Sequence, residues 1–140
     1  MMAEQDVAVQ RGYVEWGEGP QRAQIETVDE LDVLLDRVEV AARDQQRSVL
    51  AVIFLDGASF LTVGLGAAES FVGVDDQSTG QTWWSRGDRY QDDDEVEFYL
   101  GNQGSYYPRW VLIPAPTVRE VVREMFTTGR RPDSIRWDEP

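Results

Sequence analysis

The side chains that could do chemistry in this sequence are carboxylates and aromatic rings. The chain contains neither His nor Cys, so it lacks the commonest general base, the commonest zinc ligand and every thiolate nucleophile. Eight carboxylates fall within residues 75–97, against two arginines. The densest part of this stretch is the unbroken run Asp92, Asp93, Asp94 and Glu95. Calcium loops space their ligands around a Gly, so a contiguous run predicts a solvated loop. We expect no catalytic residue, metal or cofactor.

Large aromatic side chains lie on both sides of the acidic run, among them Trp83, Trp84 and Tyr90 before it and Tyr106 and Tyr107 after it. Aromatic rings anchor protein interfaces, and neighbouring charges steer the encounter. The candidate partner-binding residues are therefore Trp83, Trp84, Asp92, Asp93, Asp94, Glu95, Tyr106 and Tyr107. The structural alternative is that one of the two tryptophans faces the core and the carboxylates only keep a loop soluble. Because adjacent strand residues point to opposite faces, Tyr106 and Tyr107 cannot both be buried on one side.

The net charge of −13 restricts the class of partner. Such a field repels nucleic-acid phosphates and anionic membrane surfaces and attracts cationic proteins. We therefore expect a basic protein partner, no nucleic acid and no membrane, and a free protein that is monomeric because copies repel one another. All 13 cations are Arg, a usage typical of GC-rich bacterial genomes such as those of actinomycetes.

No targeting or membrane-spanning segment is apparent. Residues 1–10 are polar and acidic, unlike the basic and then apolar start of a secretory signal. No apolar run approaches the roughly 20 residues that span a bilayer. A cytoplasmic location is the prediction.

Two amphipathic helices are predicted. Thr27 and Glu30 form a capping box, after which apolar residues recur at helical spacing to about residue 45. A second capping box, Thr117 to Glu120, opens a helix that continues to about residue 128. Gly129 stands where a helix C-cap glycine belongs.

Between the helices, short apolar runs separated by turn residues predict antiparallel strands. Residues 48–55 form a continuous apolar run, predicted to be a central strand covered on both faces, and residues 60–65 return after the turn Asp56-Gly57. Further strands are predicted at 7–16, 24–26, 70–74, 82–85, 96–100, 106–113 and 134–137, and the strand at 106–113 is expected to be broken or bent near Pro108. The 140 residues thus predict one α+β domain, 1–140, in which a curved antiparallel sheet packs against two amphipathic helices, about 28–45 and 117–128.

The last third of the chain resembles a known family. Residues 97–114 (EFYLGNQGSYYPRWVLIP), the helix after them, and residues 129–139 (GRRPDSIRWDE) look like the C-terminal half of the type-1 immunity proteins of bacterial polymorphic toxin systems. That half ends in an amphipathic helix, a Gly-Arg-Arg-Pro-like stop and an apolar-x-Trp-x-Glu strand, here Ile135, Trp137 and Glu139. The resemblance implies an α+β inhibitor, without enzymatic activity, of a cognate toxin that is frequently a nucleic-acid deaminase or nuclease.

Three functional hypotheses follow. In the first, the chain is an immunity protein that occludes a basic toxin site, with the acidic run steering and the aromatic residues anchoring. The second is a small-molecule-binding protein or small enzyme with an aromatic pocket lined by Trp84, Tyr99 and Tyr107. The third is a self-associating scaffold subunit, which the net charge disfavours.

Overall fold

The computed structural model describes residues 12–17, 21–55 and 59–138. The helices are α1 (Val28–Asp44) and α2 (Ala115–Thr128), and a short 3₁₀ turn covers Arg109–Val111. The strands are β1 (Gly12–Trp16), β2 (Gln21–Ile25), β3 (Val49–Leu55), β4 (Ser59–Leu65), β5 (Glu69–Ser70), β6 (Val72–Asp76), β7 (Gln81–Arg86), β8 (Glu95–Leu100), β9 (Gln103–Pro108), β10 (Ile113–Pro114) and β11 (Arg136–Asp138). The predicted turn Asp56-Gly57 and residues 7–11 of the predicted first strand lie outside the described residues.

Most strands form one sheet in the order β11-β7-β6-β4-β3-β1-β2, and every neighbouring pair in this order is antiparallel. Strand β8 joins β3 through a single parallel pair, Val49 with Tyr99, and β9 pairs with β8 as an antiparallel hairpin. Strands β10 and β5 form a separate small ladder. The two helices and this antiparallel sheet confirm the predicted α+β class.

Helix α1 begins and ends as its sequence predicts. The Thr27 hydroxyl accepts the amide of Glu30 at 3.1 Å, and the Glu30 carboxylate accepts the amides of Glu26 and Thr27, which completes the capping box. The buried stripe of the helix is Leu31, Leu34, Leu35, Val38 and Ala42.

Helix α2 begins two residues earlier than predicted. Pro114 is its N-cap, Ala115 opens the helix, and no side chain caps it; Thr117 lies inside the first turn, so its assignment as a capping residue is wrong. Pro116 fits the first turn because its fixed φ suits the helix and its missing N–H would have no helical partner there. Gly129, with φ of 73° and its amide donating to the Met125 carbonyl, confirms the predicted C-terminus.

The helices pack on one face of the sheet over the larger core. Residues of β3, β4 and β6 that point to this face, such as Ile53, Leu61 and Val74, are buried against α1 and α2. A second core lies on the opposite face, beneath the β8–β9 hairpin and the 3₁₀ turn. Its buried members are Leu50, Phe71, Phe98, Val111 and Leu112.

Strand β3 is covered on both faces only in part. Leu50 is buried in the second core, but Val52 and Phe54, further along the same face, keep partial exposure. The prediction of full coverage is therefore wrong for these two residues, because the hairpin lies over only one end of the strand.

The predicted strand over 106–113 is interrupted. Strand β9 ends at Pro108, and the chain then turns through the 3₁₀ segment before β10. Pro108 has no amide to continue a ladder, which accounts for the break that the sequence predicts near this residue.

Neither of the described helices has the length and apolar character needed to span a bilayer.

Candidate partner-binding surface

The β8–β9 hairpin separates an apolar side from an acidic side. Its register pairs Glu97 with Tyr106, and strand alternation sends neighbouring residues to opposite faces. Val96, Phe98 and Tyr107 pack into the second core. The outer side, here called the acidic hairpin face, consists of Glu95, Glu97, Tyr99 and Tyr106.

Glu97 is at the centre of the acidic hairpin face. The Tyr99 hydroxyl donates to its carboxylate at 2.9 Å. The carboxylate lies across Gly104, and a Cβ at that position would displace it. Interaction with Glu97 raises the pKa of Tyr99 and, in the same way, the pKa of Tyr106. Glu97 therefore holds the Tyr99 ring in place and lies opposite Tyr106 on the hairpin.

The acidic loop, Asp92, Asp93 and Asp94, is tied to the 3₁₀ turn by Arg109. The guanidinium donates to Asp92 at 2.7 Å and reaches Asp94 at 3.4 Å. The amide of Arg109 also donates to the Asp94 carbonyl at 2.7 Å, and its guanidinium stacks over Tyr90. Hydrogen bonding from Arg109 lowers the pKa of Asp92, so this carboxylate stays ionised and the loop is held.

The rest of this surface keeps its negative charge. In the part of the chain that the structure describes, no arginine forms an ion pair with Asp93, Glu95 or Glu97. Arg47 stacks on Tyr99 at one end of the hairpin and contacts the Gly101 carbonyl. The loop and hairpin thus form an acidic surface with exposed phenols.

Five of the eight candidate residues come together here. The acidic loop, Glu95 and Tyr106 share one exposed surface, and Tyr106 is 61% exposed. Tyr107 and Trp84 lie beneath it in the second core, with ring centroids 5.6 Å apart. Only one of the two adjacent tyrosines is turned inward, as predicted.

Trp83 lies apart from this surface. It points to the other side of the sheet, packs against the larger core, and is covered by the guanidinium of Arg131 at 3.6 Å from the ring centroid. Two partly exposed residues of this surface, Glu97 and Tyr99, were left out of the candidate set by sequence reasoning. The alternation along residues 95–99 was the signal that could have placed them beside Glu95.

The aromatic residues proposed for a small-molecule pocket do not line one cavity. Trp84 and Tyr107 are in the second core, while Tyr99 is on the outer side of the hairpin. Tyr99 instead borders an open groove of about 420 Å³ beside α1, together with Trp16 and Arg37. Among the described residues, no group of three or more His, Cys, Asp or Glu side chains could hold a metal ion.

The fold and this surface define a small α+β domain with an exposed, carboxylate-rich hairpin. Residues 19–139 match the family model described as immunity protein Imm1, and the chain belongs to this family. The match confirms the resemblance to type-1 immunity proteins, and the partner that the family implies is a cognate toxin. A search among curated proteins finds no match.

Proposed function

We propose that this immunity protein neutralises a toxin that acts on nucleic acid, a deaminase or a nuclease, by occluding its basic active-site cleft. The observation that carries this proposal is that Asp93, Glu95 and Glu97 have no arginine partners in the described ranges, while Glu97 lies opposite the exposed ring of Tyr106 on the hairpin. A cleft that holds phosphates must be positively charged. In this role the protein works in the cytoplasm, as a monomer when free, and has no enzymatic activity.

Charge determines how fast the two proteins meet. Complementary fields raise association rates to roughly 10⁸–10⁹ M⁻¹s⁻¹ at low salt. The Arg109 contacts hold the acidic loop before binding, which reduces the entropy lost on association.

Tyr106 is the proposed anchor at the centre of the surface. Tyrosine brings a large ring with little rotamer entropy and a hydroxyl that can still form hydrogen bonds. Trp84 and Tyr107 support binding from below by fixing the hairpin on the sheet. Trp83 lies on the other side of the sheet, so any contact that it makes with the toxin lies outside this surface.

The test is binding to the toxin domain encoded beside this gene, measured by biolayer interferometry at low and high salt. The variant D93N/E95Q/E97Q removes three charges from the proposed surface. The matched control D44N/E120Q/E124Q removes three charges from exposed helix positions. We expect association to slow about tenfold or more only in the first variant, with the difference shrinking as salt screens the charges.

Two results would contradict the proposal. Equal slowing in both triple variants would mean that total charge acts and not this surface. Absence of a complex between the unaltered protein and the toxin at low salt would remove the immunity role itself. Co-expression rescue of cells from that toxin, with its nucleic-acid damage as the readout, distinguishes a deaminase from a nuclease.

A further inference from the structure

Beyond the area that the hairpin covers, the sheet face opposite the helices carries a row of aromatic rings. The strand registers align Tyr13 with Phe54 and Phe54 with Phe60. The ring centroids are 4.6 Å apart in the first pair, which is stacked, and 5.5 Å apart in the second. These three residues, here called the aromatic row, are all partly exposed, and within the described ranges they belong to neither buried core.

One end of the aromatic row already holds a cation. The guanidinium of Arg22 lies 4.3 Å from the ring centroid of Tyr13 and donates to the carboxylate of Glu15. A ring face and a carboxylate thus bind one arginine within this chain. This is the arrangement expected for a cation on an aromatic surface, where the ring quadrupole and a counter-charge act together.

The other end has the same two components and no arginine among the described residues. Asp75 of β6 lies directly opposite Phe60 of β4. Its carboxylate accepts a hydrogen bond from the Thr82 hydroxyl at 2.5 Å, which fixes its direction, and no described arginine forms an ion pair with it. Phe60 and Asp75 therefore also place a ring beside a carboxylate, here directly opposite each other on neighbouring strands, whereas Tyr13 and Glu15 lie two residues apart on β1.

We propose, resting on the proposed function, that the aromatic row is a second contact surface for the toxin, which places a lysine or arginine over Phe60 with its charged end at Asp75. The stem of such a side chain packs on apolar surface while its head pairs with the carboxylate. Partly exposed aromatic patches with polar rims are typical of protein interfaces. The basic partner that suits the acidic hairpin face supplies this chemistry.

The two surfaces are close enough for one partner. Leu50 lies under the hairpin and Phe54 in the row, four residues along the same face of β3. At roughly 3.3 Å per residue, Leu50 and Phe54 are about 13 Å apart. This distance is shorter than the width of a standard interface, which covers about 800 Å² on each partner. The acidic hairpin face and the aromatic row therefore lie side by side, and one partner could contact both.

The test measures the dissociation constant for the same toxin domain with D75N and F60L. Each is expected to weaken binding about tenfold, which is less than the roughly thirtyfold loss at an interface hot spot. D76N is the matched control, because Asp76 is the next residue of β6 and its carboxylate instead caps the turn at Ser78. We expect less than about a twofold change for it. Urea unfolding of F60L, in which an apolar side chain is kept, separates lost binding from lost stability.

Unchanged affinity in D75N, with binding still lost in D93N/E95Q/E97Q, would overturn the second surface and leave the proposed function intact. If the unaltered protein fails to bind the toxin at all, both fall. Two further occupants are checked directly. A loss of stability after deletion of residues 2–11, with toxin affinity unchanged, would assign the row to the chain's own N-terminal segment, and a dimer in light scattering that F60L abolishes would assign it to a second copy. Either result would overturn the proposal.

Discussion

The indole ring of Trp84 packs against Gly73, which lies directly opposite it on the neighbouring strand β6. A Cβ at Gly73 would stand 2.5 Å from the ring. The ring cannot move aside easily, because Phe71 and Tyr107 contact it in the second core. We therefore expect G73A to lower the free energy of unfolding by about 1–3 kcal/mol through overpacking, as measured by urea denaturation.

A double-mutant cycle identifies the ring as the cause. In a W84A background the space above Gly73 is open, so G73A should lose most of its effect, apart from any general change in the strand. The same loss of stability in both backgrounds would mean that the contact between Gly73 and Trp84 does not explain it.

A single buried hydroxyl joins the sheet to the 3₁₀ turn. Ser85 is fully buried; its Oγ accepts the amide of Val72 at 3.1 Å and donates to the carbonyl of Val111 at 2.8 Å. S85A would leave both backbone groups without this partner. Each unsatisfied buried polar group lowers the free energy of unfolding by about 1–3 kcal/mol, so we expect a clear drop in the urea midpoint.

The control for S85A is S134A, which removes the same oxygen from an exposed position. Its stability should change by less than about 0.5 kcal/mol. Equal stability of S85A and S134A would show that the hydroxyl of Ser85 does not hold the 3₁₀ turn to the sheet.

Much of the fold could be predicted because its signals are local. The capping box at Thr27 and the glycine at 129 lie next to the helix ends that they define. The start of α2 was missed because two N-terminal signals compete within four residues, and Pro114, with its constrained φ, precedes Thr117. Sequence spacing alone does not say which signal prevails.

The candidate surface could be predicted where it depends on one segment of chain. The acidic loop and Glu95 are contiguous, and alternation places Tyr106 and Tyr107 on opposite sides. The faces of Trp83 and Trp84 depend on which core covers each side of β7. The aromatic row draws on three strands, so it exists only through the registers of the sheet, which tertiary packing sets.

The phenols beside Glu97 should titrate at unusually high pH. Interaction with this carboxylate raises the pKa of Tyr99 and Tyr106 above 10.0. The neutral phenol is favoured in the folded state, so the contribution of these contacts to stability is fully present below the unfolded pKa. It is lost as the pH rises through the raised folded pKa. Ultraviolet absorbance of tyrosinate measures the titration.

Replacing Glu97 should bring this titration back down. E97Q removes the negative charge, so the part of the tyrosinate signal that appears at the highest pH should move toward pH 10. E120Q, on the outer face of α2, should leave that signal in place. A titration curve that E97Q does not shift would mean that Glu97 does not control the two phenols.

Arg119 neutralises a line of carboxylates on α1. Its guanidinium lies 2.9 Å from Asp36, 2.6 Å from Glu39 and 3.5 Å from Asp32, and its side chain is only 15% exposed. R119Q would leave Asp36 and Glu39 without an arginine partner in the described part of the chain, close to Asp32, which keeps its pair with Arg123. We expect a loss of about 1–3 kcal/mol, between the values for exposed and for buried ion pairs.

The matched variant for R119Q is R123Q. Among the described residues Arg123 forms an ion pair with Asp32 alone, and its side chain is 47% exposed, so its removal should lower stability by less than about 1 kcal/mol. Urea denaturation of both variants at 0.05 M and 0.5 M NaCl measures the difference, and salt should reduce the loss in R119Q, since screening weakens the repulsion among the three carboxylates. An R123Q protein as unstable as R119Q, or an R119Q loss unaffected by salt, would contradict this account, because only crowded like charges on α1 predict both the larger loss and its dependence on ionic strength.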